Sequence, residues 1–378
     1  MNKTVLFNCT TNISGGTLQN AVNFIIETLK EKNIIFFYAV SKNIHNALDK
    51  KNIFLPKDKY FIFEERPSLN LLSRKRLKKL QHDLKPDLVY TMAGPAYVKF
   101  TCKHIMGITD PYLLDFNFKV WKNERTYLEL VSKIIISKIK THYAKNADYY
   151  VFQTNASKRK FLKNVKKLMP SQTFIVKNAI NKKFYQAMSL IRKVSEVDKT
   201  IIKILCPAAY YPHKSLSIVP KVASLLRQKF QNFQFLLTLD ESLPALKNIL
   251  AEAKRLNVEE NIVAMGSFDN EDSVKIHEEA HVIFLPSILE VFSTSYLESI
   301  ASFRRFVVSD LDFSRDICGE LASYFYPMDI DSAAMALSNV INDLELRDEE
   351  IVRRNQIISE YGDQAYRYKK IKDILLNV

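Results

Sequence analysis

His281-Val-Ile-Phe-Leu-Pro-Ser-Ile-Leu-Glu-Val-Phe-Ser-Thr-Ser-Tyr-Leu-Glu-Ser-Ile-Ala301 is the stretch that decides how this chain is read. Its first five residues form a short apolar run of β type, Pro286-Ser287 interrupts it, and a helical spacing of apolar residues begins near Ser295. A strand, a turn and a helix follow from that order. Glu290 then stands at the carboxyl end of a strand, where open α/β sheets bind their ligands. Glu298 lies eight positions later, about two turns along the following helix, where a sugar hydroxyl could find an acceptor.

The same alternation extends in both directions. Toward the amino terminus the expected elements are strands Ile201–Leu205, Phe233–Leu239 and Ile262–Met265, with helices Leu216–Lys229, Leu243–Leu256 and Asp272–Glu279. Strand Phe306–Ser309 follows, and Ser332 to Val378 reads as helical with no further strand. A first series opens with strand Thr4–Asn8, a glycine turn at Gly15-Gly16 and helix Leu18–Leu29, and continues through strands Ile34–Val40, Lys59–Phe63 and Leu88–Met92 with a basic helix Leu71–His82. Strands alternating with helices mean parallel, doubly wound sheets, and two series mean two domains, as a length of 378 residues also suggests. The expected division is 1–185, 186–355 and a final helical segment 356–378 that packs back on the first domain, with a hinge in the polar stretch Arg192–Lys199.

Composition narrows the class. Hydrophobic residues are 47% and charged residues 25% of the chain, as in a soluble globular protein. Apolar runs such as Ile34–Val40 are far too short to span a bilayer, and the amino-terminal run is too short for the core of a secretory signal, so a cytoplasmic protein is expected. Cys9, Cys102, Cys206 and Cys318 are scattered, with neither metal-site nor redox spacing. The net charge of +14 is uneven: residues 1–185 hold 33 Lys+Arg against 13 Asp+Glu, whereas 186–378 hold 22 against 28. The first half therefore expects an anionic partner. Arg74, Lys75, Arg76, Lys78 and Lys79, with the runs Lys133–Lys145 and Lys158–Lys167, mix cations with apolar residues as an interfacial helix on an anionic membrane would.

Only seven glycines occur. Gly15 and Gly16 precede the first helix and Gly266 follows a strand of the second series, places where backbone N–H groups can approach a phosphate.

Residue by residue, the second half resembles the retaining, nucleotide-sugar-dependent glycosyltransferases of family 4. Cys206-Pro-Ala-Ala-Tyr-Tyr-Pro-His-Lys-Ser-Leu216 is similar to the segment that carries the family's donor-phosphate lysine, here Lys214; Met265-Gly-Ser-Phe268 resembles the loop beside the base, and Pro286–Ala301 the paired-glutamate segment. Phe306–Asp310 and Arg315–Glu320 resemble the elements that close the domain. In the first half Gly15-Gly16, the sheet-edge strand Val151–Thr154 and Asn178–Phe184 match more loosely. The sequence departs from the family at Ala208-Ala209-Tyr210-Tyr211, where an Arg is common, at Val291 and Ser293, which stand for glycines, and at Gly107-Ile-Thr-Asp110, which keeps an Asp without its usual His.

The resemblance implies a GT-B fold, two Rossmann-like domains facing a central cleft, and a hexosyltransferase-type enzyme that needs no metal or other cofactor. It assigns Glu290 to the donor sugar as the catalytic carboxylate, Glu298 to the ribose, and Lys214, Gly15, Gly16, Gly266, Val291, Phe292, Ser293 and Thr294 to the rest of the donor, with Asp110 as a sugar or acceptor contact unless it is a capping residue. The acceptor would be a lipid-linked saccharide of cell-surface polysaccharide assembly, met at the inner face of the cytoplasmic membrane. Two alternatives stay open: a basic nucleic-acid-binding protein, disfavoured because no nucleic-acid motif is present, and an inactive GT-B partner subunit.

Overall fold

The computed structural model describes residues 2–114, 127–187, 197–268 and 272–378. Thirteen strands occur among them: β1 Lys3–Cys9, β2 Ile34–Ser41, β3 Tyr60–Phe63, β4 Leu88–Thr91, β5 Lys103–Ile108, β6 Tyr149–Phe152, β7 Thr173–Ile175, β8 Ile202–Cys206, β9 Phe233–Leu237, β10 Ile262–Ala264, β11 Val282–Leu285, β12 Arg305–Ser309 and β13 Ser323–Phe325. They form two wholly parallel sheets, ordered β3-β2-β1-β4-β5-β6-β7 and β10-β9-β8-β11-β12-β13. The expected doubly wound α/β architecture is therefore present twice.

The chain divides into one unit of Met1–Ala179 with Gln364–Val378 and another of Ile180–Asp363. Arg192–Glu196, in the expected hinge, lie outside the described residues.

Parallel sheets are covered by helices on both faces, so their strands must be apolar on both sides, and this explains the unbroken runs in the sequence. In the second unit Ile204, Cys206, Val282 and Phe284 enter one core with Val219, Val222 and Leu337. Their strand neighbours Leu205, Ile283 and Leu285 point the other way, against Tyr296, Leu297 and Ile300. In the first unit Val5, Phe7, Phe24 and Tyr90 share a core with Tyr368, Ile371 and Leu375 of the helix Gln364–Asn377. Tyr368 and Lys372 of that helix both bind the Glu31 carboxylate, at 2.9 and 2.8 Å.

Three expectations need amending. The first helix is Gly15–Thr28, so Gly15 and Gly16 form its opening turn instead of a loop before it. Val151 and Phe152 belong to β6, which pairs with β5 and β7 on either side, so this strand is interior and β7 is the edge. Finally, β13 was not apparent in the sequence because only three residues pair with β12.

Glycine has a packing role at Gly107 in β5. A Cβ there would sit 2.1 Å from the carbonyl oxygen of Met92, which backbone alone supplies. At Gly16 a Cβ meets nothing within 4 Å. Urea denaturation should therefore separate the two: Gly107→Ala is expected to lose about 3 kcal/mol, whereas Gly16→Ala should be neutral or gain up to about 1 kcal/mol of helix propensity.

Candidate donor-binding site

In an open parallel sheet the strand order reverses at one point, and the loops leaving the carboxyl ends of the two strands there diverge to leave a crevice. In the second unit that point lies between β8 and β11. Lys214 comes from the loop after β8 and Glu290 from the loop after β11. The two charged side chains meet: Lys214 Nζ lies 2.5 Å from Glu290 Oε1, with 13% and 9% of the respective side chains exposed. The contact is an ion pair whose angles fall short of an aligned hydrogen bond. Lys214 also donates to Ser293 Oγ at 3.3 Å. One ammonium thus links both loops to the start of the helix Thr294–Ala301.

Local sequence explains how Lys214 is held. Pro212 opens a 3-10 turn, Pro212–Lys214, and Ser215 then adopts a left-handed conformation at φ 55°. The helix expected from Leu216 begins only at Val219, with Pro220 in its first turn, a position proline favours. Lys214 therefore sits in a tight turn at the carboxyl end of the sheet, from which it reaches Glu290. The Ile288 N–H donates to the His213 carbonyl at 2.8 Å, which ties the Lys214 turn to the Glu290 loop. Tyr211 stacks on the His213 ring, with centroids 5.4 Å apart. Buried Ile288, Leu289 and Val291 pin the Glu290 loop from below, and Phe292 packs beside Tyr361.

Two hydroxyls brace the loop after β8. Thr238 Oγ1 accepts from the Ala208 N–H at 3.0 Å and faces the Cys206 carbonyl, and Ser295 Oγ donates to the Pro207 carbonyl at 3.0 Å. Neither Thr238 nor Ser295 was apparent in the sequence as a site residue, because single hydroxyl residues carry no spacing signal. Gly266, at φ 77°, follows β10, where Met265 continues the pairing by donating to the Leu237 carbonyl.

Glu298 occupies the helix Thr294–Ala301. Part of its surface remains reachable by solvent, yet protein surrounds the carboxyl, and this loss of hydration pushes it up to about 7. Desolvation thus favours the protonated carboxyl, which can donate as well as accept. Asp110, in the first unit, accepts from the Tyr112 N–H at 3.0 Å and pairs with Lys140 at 2.5 Å, the arrangement of a turn-capping aspartate. Gly15, at φ 57°, and Gly16 also belong to the first unit, where they follow β1 beside its own strand-order reversal at β1 and β4. No group of three or more metal-binding side chains is found among the described residues.

Comparison with known proteins now gives this geometry a class. Residues 188–355 match the family described as Glycosyl transferases group 1. The chain carries a glycosyltransferase domain. Lys214, Gly266, Glu290, Ser293 and Glu298 all fall inside it. No curated protein sequence matches the chain. Among solved structures, sucrose-phosphate synthase from Thermosynechococcus elongatus is similar at a TM-score of 0.71 and 13% identity, over 100% of this chain and 99% of that one. Anabaena Alr3699/HepE, in complex with UDP and glucose, aligns at 0.68 and 14% identity over 100% of both chains. WaaG, a glycosyltransferase involved in lipopolysaccharide biosynthesis, aligns at 0.66 and 11% identity over 98% of this chain and 99% of that one. These likenesses place the two sheets in the GT-B fold, and the matched glycosyltransferase domain makes the chain a transferase enzyme.

The raised Glu298 carboxyl has a consequence for stability. Between the unfolded value near 4.5 and the folded value of about 7, the native chain holds a proton that the unfolded chain has released. Stability therefore falls as pH rises through that window and levels off above it. Glu298→Gln should remove this slope and melt higher than the parent at pH 8, by on the order of 1–2 kcal/mol, with little difference at pH 4.5. Thermal melts across that range check the sign.

Proposed function

We propose that this enzyme is a retaining transferase of the family 4 kind that moves a sugar from a nucleoside diphosphate sugar to a saccharide acceptor. The observation that carries the reading is the meeting of Lys214, Glu290 and Ser293 at the strand-order reversal of the matched domain. In the proposed reaction the bond between the anomeric carbon and the β-phosphate oxygen breaks, and a bond to the acceptor oxygen forms on the same face. The acceptor proton passes to the departing phosphate, so glycosylated acceptor and nucleoside diphosphate leave. Negative charge grows on the β-phosphate as this happens, and Lys214 with the N–H groups at Phe292, Ser293 and Thr294 is suited to stabilise it. In this reading Glu290 holds the donor sugar, Glu298 takes the ribose, and Gly15, Gly16, Gly266 and Val291 shape the remaining wall. No metal is assigned a part, so turnover should survive EDTA.

The basic first unit fits a lipid-linked acceptor on an anionic membrane. On the helix Leu71–Leu84, Ser73, Leu77 and Gln81 face the protein, while Leu71 (68% exposed), Leu72 (73% exposed), Lys75 and Lys78 lie outward together. Arg74 and Arg76 are engaged elsewhere. Arg74 donates to the Pro67 and Ser68 carbonyls and to the Tyr143 hydroxyl, Arg76 donates to the Ile62 carbonyl, and Lys79 pairs with Asp83. We therefore assign lipid contact to Leu71, Leu72, Lys75 and Lys78. No helix among the described residues is long and apolar enough to cross a membrane, and a peripheral position at the inner face of the cytoplasmic membrane is proposed. Assembly of cell-surface polysaccharide is the proposed role, and the role that the WaaG description gives that protein supports it.

Thermal shifts against a panel of uridine and guanosine diphosphate sugars test the donor site. At least one should raise the melting temperature, and Lys214→Ala should abolish that rise and lower turnover by about 100-fold or more. A panel that shifts nothing would sink the reading. Replacing Leu71, Leu72, Lys75 and Lys78 together should release the protein from anionic vesicles while leaving nucleotide-induced shifts intact.

A further inference from the structure

We propose that Glu290, through its pairing with Lys214, also weakens the site's hold on spent nucleoside diphosphate relative to the intact donor. The inference rests on the donor-site reading above and concerns how the product leaves. It starts from a distance. Lys214 Nζ and Glu290 Oε1 are 2.5 Å apart, so a phosphate oxygen within hydrogen-bond reach of that ammonium, roughly 2.8 Å, lies no more than about 5.3 Å from the carboxylate oxygen. Both side chains are largely withdrawn from water, so the repulsion between the two anions is screened much less than at the surface.

The penalty depends on the charge that arrives. A nucleoside diphosphate sugar carries a diester-like β-phosphate, whereas the free diphosphate ends in a terminal phosphate with about one further negative charge near neutral pH. The donor also offers sugar hydroxyls that the carboxylate can accept from. Free diphosphate offers Glu290 nothing to accept and brings more charge toward it. One carboxylate thus attracts the substrate through its sugar and repels the product through its phosphate. Ser293 Oγ, which receives Lys214 at 3.3 Å, keeps the ammonium aimed into the site while it serves both partners.

The test measures two affinities by calorimetry, for a nucleoside diphosphate and for its sugar conjugate, on the parent chain, Glu290→Gln and Glu290→Asp. Glu290→Gln removes the charge and keeps the shape. It should tighten the free diphosphate by on the order of tenfold and weaken the sugar conjugate, so the two constants move in opposite directions. Glu290→Asp keeps the charge, and its affinity for free diphosphate should stay near the parent's. Should Glu290→Gln fail to fold, Glu290→Ala carries the same comparison. A purely structural role for the pair would weaken both ligands together. Diphosphate binding unchanged or weakened in Glu290→Gln overturns this proposal while leaving the donor site standing; a parent chain that binds neither ligand overturns the donor-site reading itself.

Discussion

Two opposite charges drawn from adjacent loops and held largely out of water organise the proposed site of this enzyme. Lys214 and Glu290 would each be costly to bury alone, because a lone charge in poorly hydrated surroundings loses its solvation without compensation. Paired at the β8 and β11 reversal, they make the two loops one object. The surrounding contacts follow from that need. The Ile288 to His213 backbone bond fixes the loops against each other, and the Ser295 to Pro207 bond ties the helix bearing Glu298 to the loop that carries Lys214. A displacement of any one of these would be felt by the pair.

The two glutamates, alike in sequence, are different in chemistry. Glu290 faces a cation, while Glu298 lacks one among the causes that set its protonation and is governed by desolvation alone. Environment, more than residue type, therefore distributes the roles along one short stretch of chain. In the proposed site Glu290 is the carboxylate assigned to the donor sugar beside Lys214, and Glu298 the one assigned to ribose hydroxyls.

Much of this was legible in the sequence, and the limits have physical causes. The run His281–Leu285 matches β11, Val282–Leu285, to within one residue, because a strand buried on both faces must be apolar throughout and Pro286 ends it. The short β13 was missed because three residues carry no periodicity, and its place in the sheet is set by pairing with β12. The start of the helix after β8 was misplaced because leucine and isoleucine fit a 3-10 turn as well as an α-helix, and Pro220 decided between them. At the site, Lys214, Glu290 and Glu298 were each nameable from their places after strands. That Lys214 and Glu290 touch was not, since 76 positions of chain separate them and only the sheet order brings their loops together. Arg74 and Arg76 show the opposite limit: a charge run in sequence says nothing about which cations are taken up by nearby carbonyls.

The helix Gln364–Asn377 completes the core built by the first 179 residues, although 184 residues of the second unit are made in between. On the ribosome the amino-terminal sheet emerges first but must wait for Tyr368, Ile371 and Leu375 of its core until the whole of the second unit has been made. The second unit, continuous in sequence, has all of its own residues earlier. The order of synthesis and the order of completion are therefore reversed, and a nascent chain released early would lack a finished first core while possessing every residue of the transferase domain.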